Sequence, residues 1–100
     1  MKISKKVYID KEIPYYKWII WKLRKNKKVK QIYCICMGHN KGYFLEIINS
    51  NKIEKKHRES ILIGIATTRQ NAIKLTARIF DEVYKPNPNL QHMKDYFMGR

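Results

Sequence analysis

The chain has 100 residues, of which 22 are Lys or Arg and eight are Asp or Glu, and 44% are hydrophobic. This length suits one small domain and leaves no room for a second core. The hydrophobic share excludes a disordered basic tail. A formal net charge of +14 on a folded domain is far from neutrality, so it indicates a polyanionic partner.

The positive charge is unevenly placed along the chain. Residues 1–30 hold eleven Lys and Arg and two acids, residues 31–66 hold five and three, and residues 67–100 hold six and three. Like charges oppose compaction unless they are spread over solvent or matched by an external anion. We therefore look for a contact surface first in the N-terminal third.

In chain order, a short edge strand is predicted over Lys5–Asp10, and the apolar run Ile13–Leu23 follows. Lys17 and Lys22 interrupt this run, which is too short for a bilayer span of roughly 20 residues. The same lysines, and the lack of a small-residue cleavage site, argue against a signal peptide. We expect a cytoplasmic protein with no membrane partner.

Residues 14–25 are compatible with two structures. A strand is supported by the high β propensity of the run 18–21. A helix is favoured, because Pro14 suits a first turn and the two lysines break a two-residue alternation. As a helix, the segment places five apolar residues in one arc: Tyr15, Tyr16, Ile19, Ile20 and Leu23.

Three runs rich in β-branched and aromatic residues predict strands at Gln31–Met37, Tyr43–Asn49 and Ser60–Ala66. The glycine-bracketed stretch 38–42 predicts a hairpin loop between the first two. The longer, charged stretch 50–59 is compatible with an antiparallel connection between the second and third strands. The predicted fold is therefore α+β, with a three-stranded antiparallel meander to which a fourth strand can add.

Both faces of these strands are apolar, whereas a sheet with one wetted face alternates apolar and polar residues. Something must cover the second face: the N-terminal segment, the C-terminal tail or a second copy of the chain in a homodimer. Cys34 and Cys36 share one of the faces, a geometry that is poor for a disulfide. We predict that both are reduced and buried.

A long amphipathic helix is predicted over Thr67–Tyr84, because apolar residues recur there at three- and four-residue steps. Thr67 and Thr68 are good N-caps, and Pro86 stops the helix. Residues 90–98 are predicted to form a short docking or partner-binding segment. We predict one domain over 1–100, with a core at about 13–85 and a C-terminal extension at 86–100.

This order of helix, three strands and helix resembles the double-stranded-RNA-binding domain. The stretch 64–72, with the sequence GIATTRQNA, looks like that family's passage from the third strand into the last helix. The resemblance implies that Arg69 holds a phosphate-contacting position and that Ala72 packs the helix onto the sheet. Gln70 and Ile73 stand where the family has lysines, and the loop 38–41 lacks its proline.

Two basic sets are candidates for phosphate contact, since neutralised phosphates release counterions and give salt-sensitive affinity. The first, around the end of the N-terminal helix, is Lys22, Arg24, Lys25, Lys27, Lys28 and Lys30. The second, in loops and at a helix start, is Lys41, Lys52, Lys55, Lys56, Arg58 and Arg69. Trp21 lies among the cations, where an aromatic ring can stack on an unpaired base.

The sequence gives little support for a metal site or a catalytic site. Cys34, Cys36 and His39, with His57 as a fourth donor, lack the two well-spaced ligand pairs of structural zinc sites. The eight acids are scattered, whereas two-metal nucleases need clustered carboxylates. We predict no metal, no cofactor and no enzymatic activity.

The sequence predicts a small basic nucleic-acid-binding protein, for DNA or RNA, with mainly phosphate-backbone contacts. The size and the Lys, Ile and Asn bias suit an accessory or regulatory protein of a phage or plasmid. The alternative is an inhibitor or adaptor that occupies a nucleic-acid channel or acidic surface of a larger protein partner. The third option, a peripheral membrane binder through residues 14–25, is set aside because we expect its aromatic arc to cover the sheet.

Overall fold

The described residues form four strands and three α-helices. The structure, a computed structural model, describes residues 1–38 and 45–98, but not the side chains of Lys56 and Leu90. The elements are β1 (Lys2–Ile9), α1 (Tyr16–Arg24), β2 (Tyr33–Met37), β3 (Glu46–Asn49), β4 (Ile61–Ala66), α2 (Arg69–Ile79) and α3 (Leu90–Met98). The α+β class, the N-terminal edge strand and the helix over residues 16–24 are confirmed.

The sheet is mixed and has the order β1-β4-β2-β3, with β1 parallel to β4 and the other pairs antiparallel. The predicted meander is wrong, because β4 pairs with β2 and leaves β3 at an edge. The Ser50 N–H donates to the Ile32 carbonyl at 2.9 Å, and the Ser50 hydroxyl accepts from the Ile32 N–H at 3.2 Å. These bonds extend the β2–β3 pairing by one residue pair. The connection 50–59 that follows is long enough to cross the end of β2, and β4 therefore pairs with the other edge of β2.

Helices cover both faces of the sheet. One core joins Ile19 and Leu23 of α1 to the side of β2 that carries Cys34 and Cys36. The other core joins α2 and α3 to the opposite side, and its central residues are Ile35, Met37, Ile63, Leu75, Ile79, Met93 and Phe97. The doubly apolar strands are thus covered within one chain, and they do not require a second copy.

The predicted long helix is an α-helix followed by a change of pitch. The Thr68 hydroxyl accepts from the Asn71 N–H at 3.1 Å and caps α2, as predicted. After Ile79 the chain continues as a π-helical turn over Phe80–Tyr84. The C-terminal segment then folds back as α3, in which Met93 and Phe97 have no solvent-exposed surface. Residues 90–98 therefore contribute to the core.

Gly64 occupies a tight position at the centre of the sheet, beside a bulge in β4. Ile35 pairs with Gly64 and Cys36 with Leu62, so Ile63 is an extra residue in the strand. A Cβ on Gly64 would lie 3.0 Å from the Ile35 Cδ1 and 3.4 Å from the Tyr8 carbonyl oxygen.

We expect Gly64→Val to lower the free energy of unfolding by about 1–3 kcal/mol, because three added carbons overpack this space. Urea unfolding followed by far-UV circular dichroism measures the change. Ile73→Val, at a half-exposed position of α2, is the control. It should lower the free energy of unfolding by less than about 0.5 kcal/mol. Equal stability of Gly64→Val and the wild type would contradict the bulge geometry.

Asp10 ties the end of β1 to the start of α2. Its Oδ2 accepts from the Thr67 N–H at 3.0 Å, from the Thr67 hydroxyl at 2.9 Å and from the Asn71 amide at 2.9 Å. Partial burial pushes the pKa of Asp10 upward, but the hydrogen bonds from Thr67, Glu12 and Asn71 outweigh it and hold this pKa below its usual 3.8. The carboxylate form is therefore favoured by folding.

Because the pKa is lower in the folded chain, the stability that Asp10 contributes is complete above pH 3.8 and is lost as the pH falls through the lowered pKa. We expect Asp10→Asn to lower the free energy of unfolding by about 1–3 kcal/mol at neutral pH. On acidification, the free energy of unfolding of this variant should fall by less than that of the wild type. Denaturant unfolding at neutral and acid pH measures both. The control is Asp81→Asn, which removes an exposed pair with Lys85. An unchanged pH profile in Asp10→Asn would contradict this role.

Candidate nucleic-acid interface

The first helix buries only a narrow stripe and leaves its aromatic residues in solvent. Ile19 and Leu23 are buried, whereas Tyr15 is 81% and Trp18 56% exposed. Residues four apart lie on the same helix face, so a short helix offers few positions to the core. The predicted apolar arc is correct for Ile19 and Leu23 and wrong for Tyr15 and Tyr16, which do not cover the sheet.

The end of α1 directs two lysines away from the helix. The Lys27 N–H donates to the Lys22 carbonyl at 2.8 Å, and the Asn26 N–H donates to the Leu23 carbonyl at 3.1 Å. Asn26 has φ 56°. This is a Schellman ending, in which a residue in the left-handed region stops the helix. The Lys-Asn-Lys sequence therefore turns the chain and brings Lys27 and Lys28 beside the sheet.

The segment Lys28–Lys30 alternates between solvent and core. Val29 is buried at 7% exposure, and Lys28 and Lys30 on either side of it are exposed. The buried valine fixes the segment to the α1 side of the sheet. Both flanking ammonium groups must therefore remain at the surface.

The connection 50–59 is an ordered part of the same surface. It forms two 3₁₀ turns, Ser50–Lys52 and Lys55–Glu59. His57 is buried at 6% exposure, and its Nδ1 accepts from the Glu54 N–H at 2.8 Å. Anchored in this way, the second turn holds Lys55 and Arg58 over the end of the sheet.

These segments enclose a basic pocket of about 470 Å³. The cations that line it are Lys27, Lys28, Lys30, Lys55 and Arg58, and Glu54 is the acid among its lining residues. In the part of the chain that the structure describes, none of these five cations forms an ion pair. The two basic sets of the sequence thus share one concave surface.

A second cavity, the aromatic pocket, lies on the other side of Lys28–Lys30 and has about 480 Å³. Tyr15, the residue that precedes α1, and Trp18 of α1 line it together with Lys22, Lys28, Lys30 and Gln31. The Lys22 Nζ lies 4.1 Å from the centroid of the Trp18 ring, a cation–π contact. No acid is among the described residues that line this pocket.

Met1 also lines the basic pocket. Its ammonium group donates a hydrogen bond to the Asn26 Oδ1. Partial burial is the main cause that lowers the pKa of this ammonium group from its usual 8.0, and the positive charge of Arg58 also lowers it, whereas Cys36 and Glu59 act in the opposite direction. Folding therefore favours the neutral form of this amine.

The backbone is strained at the aromatic pocket. Within residues 1–38 and 45–98, the non-glycine residues with positive φ are Tyr15, Asn26 and Gln31. Asn26 is the residue that stops α1 in the Schellman ending, where asparagine tolerates the left-handed region. Tyr15 and Gln31 line the aromatic pocket. The left-handed region costs such residues roughly 1–2 kcal/mol, and such costs concentrate at functional sites.

Six of the predicted contact residues line these two pockets: Lys22, Lys27, Lys28, Lys30, Lys55 and Arg58. Of the other described candidates, Arg24, Lys25, Lys52, Arg69 and Trp21 line neither pocket. The Lys27 Nζ lies 4.8 Å from the centroid of the Trp21 ring. Lys41 and the side chain of Lys56 lie outside the described residues, as does the hairpin loop over 39–42.

Tyr15, Trp18 and Gln31 are among the pocket residues for which the sequence predicts no role in a site. Tyr15, Trp18 and Lys22 have the spacing i, i+3 and i+7, which places them on one helix face. That spacing could have indicated a mixed aromatic and basic face. The sequence instead predicts that Tyr15 lies in the apolar arc, and it predicts no role for Trp18.

The cysteines belong to the core. Cys34 and Cys36 are free and fully buried. Burial raises the pKa of the Cys34 thiol to about 12, and burial together with Cys34 and Glu46 raises that of Cys36 well above its usual 9.0. Over residues 1–38 and 45–98, no group of three His, Cys, Asp or Glu side chains is arranged to hold a metal ion. His39 is outside these residues.

The described helices are all too short or too polar to cross a bilayer. No protein-family model matches the chain, and no curated protein and no solved structure is significantly similar to it. The resemblance to the double-stranded-RNA-binding domain therefore stays a prediction. The geometry and charge of the two pockets carry the functional argument.

Proposed function

We propose that this protein binds nucleic acid, mainly through the phosphate groups of the backbone, and that the basic pocket is the central contact. The observation that carries the proposal is the convergence of two distant segments. Lys27, Lys28 and Lys30 meet Lys55 and Arg58 around one cavity. Five cations against one acid, Glu54, repel one another around this concavity, and a bound polyanion would relieve that repulsion.

Phosphate is the anion that this arrangement fits best. Low-dielectric walls around a concave, positively charged surface focus the field on an anion that enters it. Lysine binds phosphate as a mobile point charge, and arginine binds it through a planar fork. Such contacts carry no sequence information, so the proposed binding is weakly sequence-specific.

The test is the salt dependence of binding, measured by fluorescence anisotropy with labelled single-stranded and duplex oligonucleotides. If the six cations of the two pockets contact phosphates, the log–log slope of affinity against salt is about −4 for a single strand. Binding should be tight at low salt and weak near physiological salt.

A flat salt dependence, or no binding at low salt, would overturn the proposal. Capture of one protein partner by the chain, without any binding to oligonucleotides, would instead support the inhibitor or adaptor role. The two functions differ in their ligand and therefore in this result.

A further inference from the structure

We infer that the aromatic pocket takes an unpaired base, so that the protein prefers single-stranded nucleic acid to a duplex. This inference rests on the proposed function, because it assigns the base of a nucleotide whose phosphates lie against the neighbouring lysines. Its observations are separate from those of the basic pocket: the exposure, spacing and backbone of Tyr15, Trp18 and Gln31.

The aromatic side chains of the pocket are placed for a ligand. Trp18 is more than half exposed, and Tyr15 is almost fully exposed. Tyr15 also has φ 52°, a conformation that folding rarely imposes on a bulky residue. Exposed rings at a strained position stabilise little in the free protein, so they indicate binding.

The pocket has the size and chemistry of a nucleotide site. Its volume of about 480 Å³ lies within the range of small-molecule sites, roughly 300–1,000 Å³. Buried apolar residues, among them Ile19, Val29 and Ile32, line its interior. Gln31, which is exposed at φ 61°, offers an amide that can donate to or accept from a base edge.

The cations are placed for the phosphates of the same strand. The Lys22 ammonium beside the Trp18 ring can pair with the phosphate of a nucleotide whose base stacks there. Lys28 and Lys30 line both pockets, so a strand can continue from the aromatic pocket into the basic pocket. A base inside a duplex is paired and stacked, and it cannot enter without being unstacked.

The experiment compares three labelled ligands at low salt: an oligothymidylate of about twelve nucleotides, an abasic strand with the same number of phosphates, and a duplex. We expect the oligothymidylate to bind tightest. Trp18→Ala should weaken its binding about 5- to 100-fold, the usual effect of one stacked base, and leave binding of the abasic strand unchanged. Trp18→Phe should restore most of the loss.

Tyr16→Ala is the matched control, since Tyr16 is an aromatic residue of the same helix that is 41% exposed but lines neither pocket. Its affinity for oligothymidylate should stay within about twofold of the wild type. Thermal unfolding of each variant shows that the fold is kept.

The outcomes separate the two proposals. Equal binding of all three ligands, or equal loss in Trp18→Ala and Tyr16→Ala, overturns this inference and leaves phosphate binding intact. No binding to any of the three overturns both proposals. Binding to phosphatidylserine vesicles with no binding to oligonucleotides also overturns both and assigns the aromatic face to a membrane surface.

Discussion

Reversing the charge of Lys28 and Lys30 together should weaken nucleic-acid binding by roughly a hundredfold at low salt, because two phosphate contacts become repulsive. These lysines have the largest expected effect, since both pockets include them. The log–log slope of affinity against salt should become shallower by about 1–2, as each lost phosphate contact removes close to one unit. Anisotropy titrations across a salt series measure both quantities.

The matched control reverses Lys74 and Lys94, which are exposed on α2 and α3, the helices on the opposite face of the sheet. The change in net charge is the same, and neither residue lines the two pockets. We expect affinity to fall by less than about fivefold and the salt slope to stay near that of the wild type. Equal losses in the two double variants would mean that net charge alone, and no defined site, governs binding.

Truncating Phe97 to Ala should lower the free energy of unfolding by about 3–5 kcal/mol, a large share of the stability of a small domain. Phe97 has no exposed surface. Its ring makes edge contacts with Tyr8 and Tyr96 at centroid distances of 6.3 and 5.1 Å. The Ser4 hydroxyl also lies 2.8 Å from the Phe97 carbonyl oxygen. The truncation therefore leaves a cavity between β1 and α3.

Met98→Ala is the neighbouring control, because Met98 is 41% exposed and its loss should cost less than about 1 kcal/mol. Chemical denaturation with far-UV circular dichroism compares the two variants. If Phe97→Ala were no less stable than Met98→Ala, α3 would not belong to the core. Nucleic-acid binding should survive in folded Phe97→Ala, since α3 packs on the face of the sheet opposite α1.

Much of the secondary structure is local in origin and was predicted from the sequence. Thr68 caps α2 through a bond to Asn71, three residues away. The β2–β3 pairing and the apolar character of both strand faces also follow from composition and alternation. Sequence reasoning succeeded here because each feature depends on residues a few positions apart.

The strand order could not be read in the same way. The connection 50–59 contains charged residues that are typical of a solvated loop. Yet Ser50 forms a hydrogen bond with Ile32 at the start of the connection, and His57 forms one with Glu54 inside it. The pairing of β4 with β2 and of β1 with β4 is long-range. Such pairings are decided by the packing of the whole sheet, which a single segment does not encode.

The candidate site also combines features that the sequence predicts with features that only the tertiary structure decides. The charge of the chain, and six of the cations that line the pockets, were identified by sequence alone. Their meeting around shared cavities, and the exposure of Tyr15 and Trp18, were decided by the tertiary structure. The physical reason is that α1 has room against the sheet for only one stripe, so Ile19 and Leu23 enter the core and the aromatic residues beside them remain at the surface.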